Sequence, residues 1–185
     1  MEHKEYLLTL LSEDEVVPAV RADLERLLTV IPELRPMIGF QHCHPHHHLD
    51  VWEHTLLALS HAENVPKLRL AILLHDVGKP HCFRQDGDRR HFRGHPAVSA
   101  TMTEQILTRL GFDPDFTKSV TEIVRRHDTS LTEEELRADL SLSLEILEVQ
   151  RCDTLAHRPD RNEHRFAYLV RVREMLERIK ESKRS

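Results

Sequence analysis

Leu68, Ala71 and Ile72 stand at the i, i+3, i+4 spacing of one helix face, and the next position on that face is His75. The pattern recurs. Val120, Ile123 and Val124 lead to His127, and Leu142, Ile146 and Val149 lead to Asp153 before Ala156 resumes the stripe. His54 lies between Val51 and Ala58 on a helix that starts at Asp50. A buried imidazole or carboxylate without a partner costs on the order of several kcal/mol, so each inward polar group needs one. A lone histidine of this kind is most simply answered by a core hydrogen bond. Four helices that each deliver one polar residue inward are most simply answered by a shared metal ion. The chain is therefore expected to be all-α, a compact bundle whose helices converge on a polar centre.

Helix signals extend over most of the sequence. Ser12-x-x-Glu15 and Thr132-x-x-Glu135 have capping-box spacing, and Asp50-x-x-Glu53 is an aspartate variant. Asp113-Pro114 sets a capping carboxylate before a proline at the first helical position. Helices are predicted near 13–30, 50–63, 66–77, 95–110, 114–127, 132–139, 142–157 and 160–181. Residues 82–92 break the rule: an Asp86-Gly87 turn between short segments reads as a small β-hairpin, with a loop as the alternative. The expected organisation is a helical extension over 1–40, a core over 41–160, and a C-terminal helix over 161–185 packed on the same domain.

With 185 residues, the chain is long enough for one core without staples. The formal charge of −5 argues against sequence-independent nucleic-acid binding as the main task. No apolar run approaches the roughly 20 residues of a membrane span, and the start lacks the features of a signal peptide. Three cysteines without a C-x-x-C fit a reducing compartment, so a cytoplasmic protein is expected. Histidine is the outlier, with 15 residues.

The doublet His75-Asp76 is the centre of the pattern. Neighbouring helix positions diverge by about 100°, so both can ligate only near the helix end, and Gly78 and Pro80 are read as ending it there. Aspartate has two oxygens and can bridge two cations. Lys79, three residues after Asp76, is placed to hold a phosphate oxygen, or simply faces the helix dipole. In the cluster Gln41–His48, His46 or His48 is expected at the pocket mouth; the other histidines read as an exposed loop.

His54, His75-Asp76 and the distant Asp153 resemble the H…HD…D pattern of the HD-domain metal-dependent phosphohydrolase superfamily. The segments Asp50–Leu56, Leu74–Pro80 and Phe92–Ala100 resemble the HD domain of bacterial CCA-adding tRNA nucleotidyltransferases. The paired aspartates of the nucleotidyltransferase head are not found, so a free-standing hydrolase relative is expected. The di-iron symmetrical diadenosine tetraphosphate hydrolases of this superfamily carry two further histidines, matched here by His95 and His127. The resemblance implies one metal held by His54, His75, Asp76 and Asp153, and a second bridged by Asp76 to His95 and His127. Iron or manganese is expected, with zinc, nickel or magnesium as alternatives.

The implied reaction is hydrolysis of a phosphoester or phosphoanhydride by a metal-bridging hydroxide, with Asp76 and Lys79 in the catalytic machinery. Arg93 is the first candidate for a further phosphate contact and Arg125 and Arg126 are alternatives, each otherwise a solvated surface residue. The substrate is expected to be a small phosphorylated molecule, a nucleotide first, whether a 2′,3′-cyclic or terminal phosphate or a dinucleotide polyphosphate. An RNA end is less favoured, no membrane partner is expected, and a homodimer is left open. The competing readings are a mixed-valence di-iron HD oxygenase and an inactive HD module used for regulation or binding.

Overall fold

The computed structural model describes residues 2–43 and 48–182. The helices are α1 (Glu2–Ser12), α2 (Val16–Ala22), α3 (Leu24–Val30), α4 (Val51–Ser60), α5 (Pro66–Leu74), α6 (Lys79–Cys82), α7 (His95–Arg109), α8 (Pro114–Arg126), α9 (Glu133–Ala138), α10 (Leu140–Ala156) and α11 (Glu163–Ser182). A two-stranded hairpin of β1 (Arg84–Asp86) and β2 (Arg89–His91) pairs Asp86 with Arg89. Its two loop residues are thus Gly87 and Asp88, with Gly87 at φ +54°, which a side chain disfavours. The fold is helical apart from this hairpin, as the sequence pattern predicts.

The start of the chain differs from expectation. A helix over 2–12 was not foreseen, and the helix predicted over 13–30 is two helices. Ser12 ends α1 and donates to the Leu8 carbonyl (2.6 Å) instead of capping a following helix. Pro18 lacks the N–H that would bond the Asp14 carbonyl, so α2 cannot extend back to Ser12. The other cap signals hold. Asp50 accepts from Glu53 N (2.8 Å), Asp113 from Asp115 N and Phe116 N, and Thr132 with Glu135 forms a full capping box.

Helix α5 ends at Leu74, four residues before Gly78. The Ile72 carbonyl, which would continue the ladder, accepts from the His75 imidazole at 2.6 Å. Gly78 has φ −80° and serves close approach: a Cβ there would lie 2.6 Å from Ser99 N and 2.9 Å from its Oγ.

One hydrophobic cluster runs through the molecule. Leu7, Leu11 and Leu27 from the N-terminal helices, and Leu34 and Met37 from a 3-10 turn over Pro32–Met37, share it with Leu56, Ile72, Val124 and Ile146. Helix α10 lies against α4, α5 and α8, and α7 packs along α8. Buried Arg69 ties α5 to the end of α1, donating to the Leu11 and Glu13 carbonyls and to Asn64. Helix α11 buries Val172, Leu176 and Ile179, so it is anchored by an apolar face beneath its charges. No helix among the described residues is long and apolar enough to cross a membrane.

Candidate metal centre

Each site histidine is oriented by a backbone carbonyl. His75 directly follows α5 and His127 directly follows α8, and each turns Nδ1 onto the carbonyl three residues back, Ile72 at 2.6 Å and Val124 at 2.7 Å. Carbonyls in a last turn have no intrahelical partner, so these imidazoles cap the helices that carry them. His95 opens α7 after Gly94, which sits at φ +82°, and donates from Nδ1 to Phe92 at 2.9 Å. His54, on α4, places Nδ1 3.2 Å from the Ala156 carbonyl. A carbonyl only accepts, so Nδ1 carries the proton in all four rings, and a neutral ring offers its Nε2 lone pair.

Those Nε2 atoms converge on Asp76. Its Oδ2 lies 3.2 Å from His75 and 3.8 Å from His54, and its Oδ1 lies 3.3 Å from His95 and 3.8 Å from His127. Asp153 closes the first side, with Oδ1 2.9 Å from His54 and 3.7 Å from His75. On the second side, His95 and His127 bring their Nε2 atoms within 3.1 Å of each other. The donor atoms of His54, His75 and Asp76 lie within 4.8 Å of one another, as do those of Asp76, His95 and His127. A third such group, His54, Asp153 and His157, adjoins them.

The chemistry of this donor set fits divalent cations. Lone pairs of neutral imidazoles face carboxylate oxygens and one another, and acceptors held together in a dry site require positive charge between them. Among the described residues, His75 Nε2 and Asp76 Oδ1 are buried without a hydrogen-bond partner, and Asp76 Oδ2 has the Lys79 ammonium at 2.7 Å. Protons do not meet the need throughout. Burial and the neighbouring His75 and His95 push His127 down to about 3. Burial also opposes charge on His75, but Asp76 and Asp153 outweigh it and lift that ring to about 10. Despite burial, His75 and Lys79 hold Asp76 well below the usual carboxylate range.

Around this centre the structure sorts the predicted substrate contacts. Lys79 is buried, with Nζ 2.7 Å from Asp76 Oδ2. Arg93 is exposed at the mouth of a cavity of about 260 Å³ that Lys79, His95, His127 and Asp153 also line. Arg125 and Arg126 do not line it: Arg125 faces Glu122 at 3.4 Å, and Glu135 (2.7 Å) and Thr129 hold the Arg126 guanidinium. The helical turn that aims His127 inward carries the two arginines before it outward. His48 is exposed and not among the lining residues, while His46 lies outside the described residues.

Of the described histidines in that cluster, His42 reaches the site. It is buried, its Nδ1 donates to Leu49 (2.9 Å), and its Nε2 accepts from Lys79 (3.2 Å). His157 and Arg165 also line the cavity and were missed. His157 had a signal, standing directly after α10 and four residues past Asp153. Arg165 had none, because its contact depends on a turn between two helices.

The family model for the HD domain matches residues 46–158. The chain belongs to the HD domain family. This family is a superfamily of metal-dependent phosphohydrolases, and the buried histidine and aspartate clusters fit its divalent-metal binding. The chain is similar to the A-adding tRNA nucleotidyltransferase of Deinococcus radiodurans, 36% identical over 166 residues, covering 82% of this chain and 38% of that protein. The CC-adding tRNA nucleotidyltransferase of Thermus thermophilus is 40% identical over 111 residues, 56% of this chain and 25% of that protein. The Multifunctional CCA protein of Azoarcus sp. is 31% identical over 147 residues, 77% of this chain and 34% of that protein. The HD-domain chain thus spans well under half the length of these relatives.

Proposed function

We propose that this HD-domain chain is a metal-dependent phosphohydrolase that cleaves a phosphoester or phosphoanhydride of a nucleotide-like substrate. The observation that carries the reading is Asp76, whose two oxygens face different histidine pairs, His54 with His75 and His95 with His127. His54, His75, Asp76 and Asp153 would hold one divalent cation, and Asp76, His95 and His127 a second. Such cations, when bound, lower the pKa of water enough to supply hydroxide near neutral pH and offset charge on phosphoryl oxygens. The mixed imidazole and carboxylate set suits iron, manganese, zinc or nickel; the resemblance to two-metal HD hydrolases favours iron or manganese, with zinc, nickel or magnesium as alternatives.

The chain's own residues bind and orient the phosphate. Lys79 is held beside Asp76 by its ion pair and by His42, within reach of a phosphoryl oxygen entering the cavity. Arg93 at the mouth supplies a guanidinium that can take two phosphate oxygens at once. This cationic lining supports hydrolysis of an anionic ester over the di-iron oxygenase alternative. The complete donor set supports catalysis over a purely regulatory module. The relatives' names include tRNA, which places an RNA terminus beside small nucleotides among the substrates to test.

The test is hydrolysis by protein loaded with manganese or ferrous iron, followed as p-nitrophenol, inorganic phosphate or the nucleotide product according to the substrate. Substrates would include p-nitrophenyl phosphate, bis-p-nitrophenyl phosphate, 2′,3′-cyclic AMP, diadenosine tetraphosphate and a 3′-phosphorylated RNA. Metal-dependent turnover of at least one is expected. Absence of turnover on all five, or oxygen uptake coupled to substrate loss, would overturn the reading.

A further inference from the structure

One strong charge in the cavity comes from outside the segment that matches the HD family. Arg165 belongs to α11, beyond the matched residues 46–158, yet its guanidinium folds back onto the centre. Nη1 lies 2.8 Å from Asp153 Oδ2, and Nη2 lies 2.9 Å from Asp128 Oδ1. The two carboxylates differ in kind. Asp153 is buried and its other oxygen is committed to His54. Asp128 lies just past the end of α8 with its side chain 40% exposed, in the wall of the same cavity as Arg93 and His157. One arm of the fork is therefore fixed, and the other is held by a surface carboxylate that solvent can replace.

A guanidinium binds phosphate through paired, charge-assisted hydrogen bonds, and a phosphate dianion is a stronger partner than an exposed carboxylate. We propose that Arg165 is a phosphate-binding residue of this site and that Asp128 is its built-in competitor, displaced from Nη2 when a phosphorylated ligand enters. Asp128 then acts as a specificity filter: a ligand bearing only a weak single charge does not win the arginine from it. The inference rests on the phosphohydrolase reading only in requiring that the cavity admit a phosphorylated ligand.

The test is calorimetric binding of inorganic phosphate to the manganese-loaded full chain, with metal content measured on each sample. Arg165→Ala is expected to weaken phosphate binding about 10- to 100-fold at unchanged metal content, the range for losing a charge-assisted hydrogen bond. Arg165→Lys, which keeps the charge and loses the fork, should fall between. Asp128→Asn is expected to tighten binding severalfold, and the double variant Asp128→Asn with Arg165→Ala should match Arg165→Ala alone. If Arg165→Ala does not fold, Asp128→Asn and Arg165→Lys decide the matter by the same directions. Unchanged or weaker binding in Asp128→Asn overturns the proposal, as does an Arg165→Ala defect that appears wholly as metal loss. Absence of saturable phosphate binding to the unmodified chain overturns it too. The expected binding pattern without turnover on any ester would remove the phosphohydrolase reading alone and leave this one standing.

Discussion

At Asp76 one carboxylate faces imidazoles on both sides, so its charge is shared by two groups of donors and by Lys79. Asp76→Asn keeps the shape and removes the charge, and an amide nitrogen cannot ligate. Loss of metal from both sides is expected, read as metal per chain by mass spectrometry. On the proposed phosphohydrolase reading, a fall in turnover of about a thousandfold or more is expected with it, since the metals would supply both nucleophile and charge stabilisation. The residue scale also sets a pH dependence. Burial pushes His42 down to about 2 and His157 to about 4, against about 6.5 for an exposed imidazole. Between those values the unfolded chain binds more protons than the folded one, so stability falls as pH falls below about 6.5. Each such histidine contributes a slope of about 1.4 kcal/mol per pH unit there. His75, at about 10, is charged in the folded state across this window and opposes the trend only slightly. Metal-free protein should therefore lose thermal stability from about pH 6 to pH 5, and His157→Gln should flatten that profile. A metal-free melting temperature that is constant over this range would show that these rings are not held neutral.

At the scale of elements, the histidines depend on how helix ends meet. Gly78 lets the turn after α5 touch the first turns of α7, where Gly78 N donates to Ser99 Oγ at 2.9 Å. Gly78→Ala puts a methyl group 2.6 Å from Ser99 N, so α7 must shift, and His95 lies one turn away on that helix. A cost of about 1–3 kcal/mol is expected, with a melting temperature lower by several degrees and reduced metal content, checked by calorimetry and mass spectrometry. This contact marks the limit of what sequence conveys. The caps at Asp50, Asp113 and Thr132 and the inward histidines were legible because a spacing of three or four residues states its own geometry. The role of Gly78 was not, because a close approach depends on a partner 21 residues away. The break between α2 and α3 at Asp23 carries no strong local signal, and Ser12 could serve as either a helix start or a helix end. Arg125 and Arg126 were plausible by adjacency to His127, but adjacency on a helix turns a side chain by about 100°, enough to leave the cavity.

At the scale of the whole molecule, α4, α5, α7, α8 and α10 each place a donor at or near a helix end, and the apolar cluster holds those ends together. The arrangement gathers negative charge and imidazole lone pairs in a buried place, which destabilises the fold unless cations occupy it. Metal should therefore act as a folding ligand as well as a cofactor. Removing it with a chelator is expected to lower the melting temperature, and manganese or ferrous iron should restore it in a concentration-dependent way. Stabilisation follows RT ln(1 + [L]/Kd), about 2.7 kcal/mol at one hundred times Kd, which for a chain of this size shifts melting by roughly 5–11 °C. Magnesium, which favours oxygen ligands, should shift it less. The Asp76→Asn variant provides the internal control: with the shared charge gone, its melting temperature should be insensitive to both chelator and added manganese. A chelator-induced shift that persists in that variant would locate the stabilising metal elsewhere, with the histidine-rich segment around His42–His48 as the first place to look.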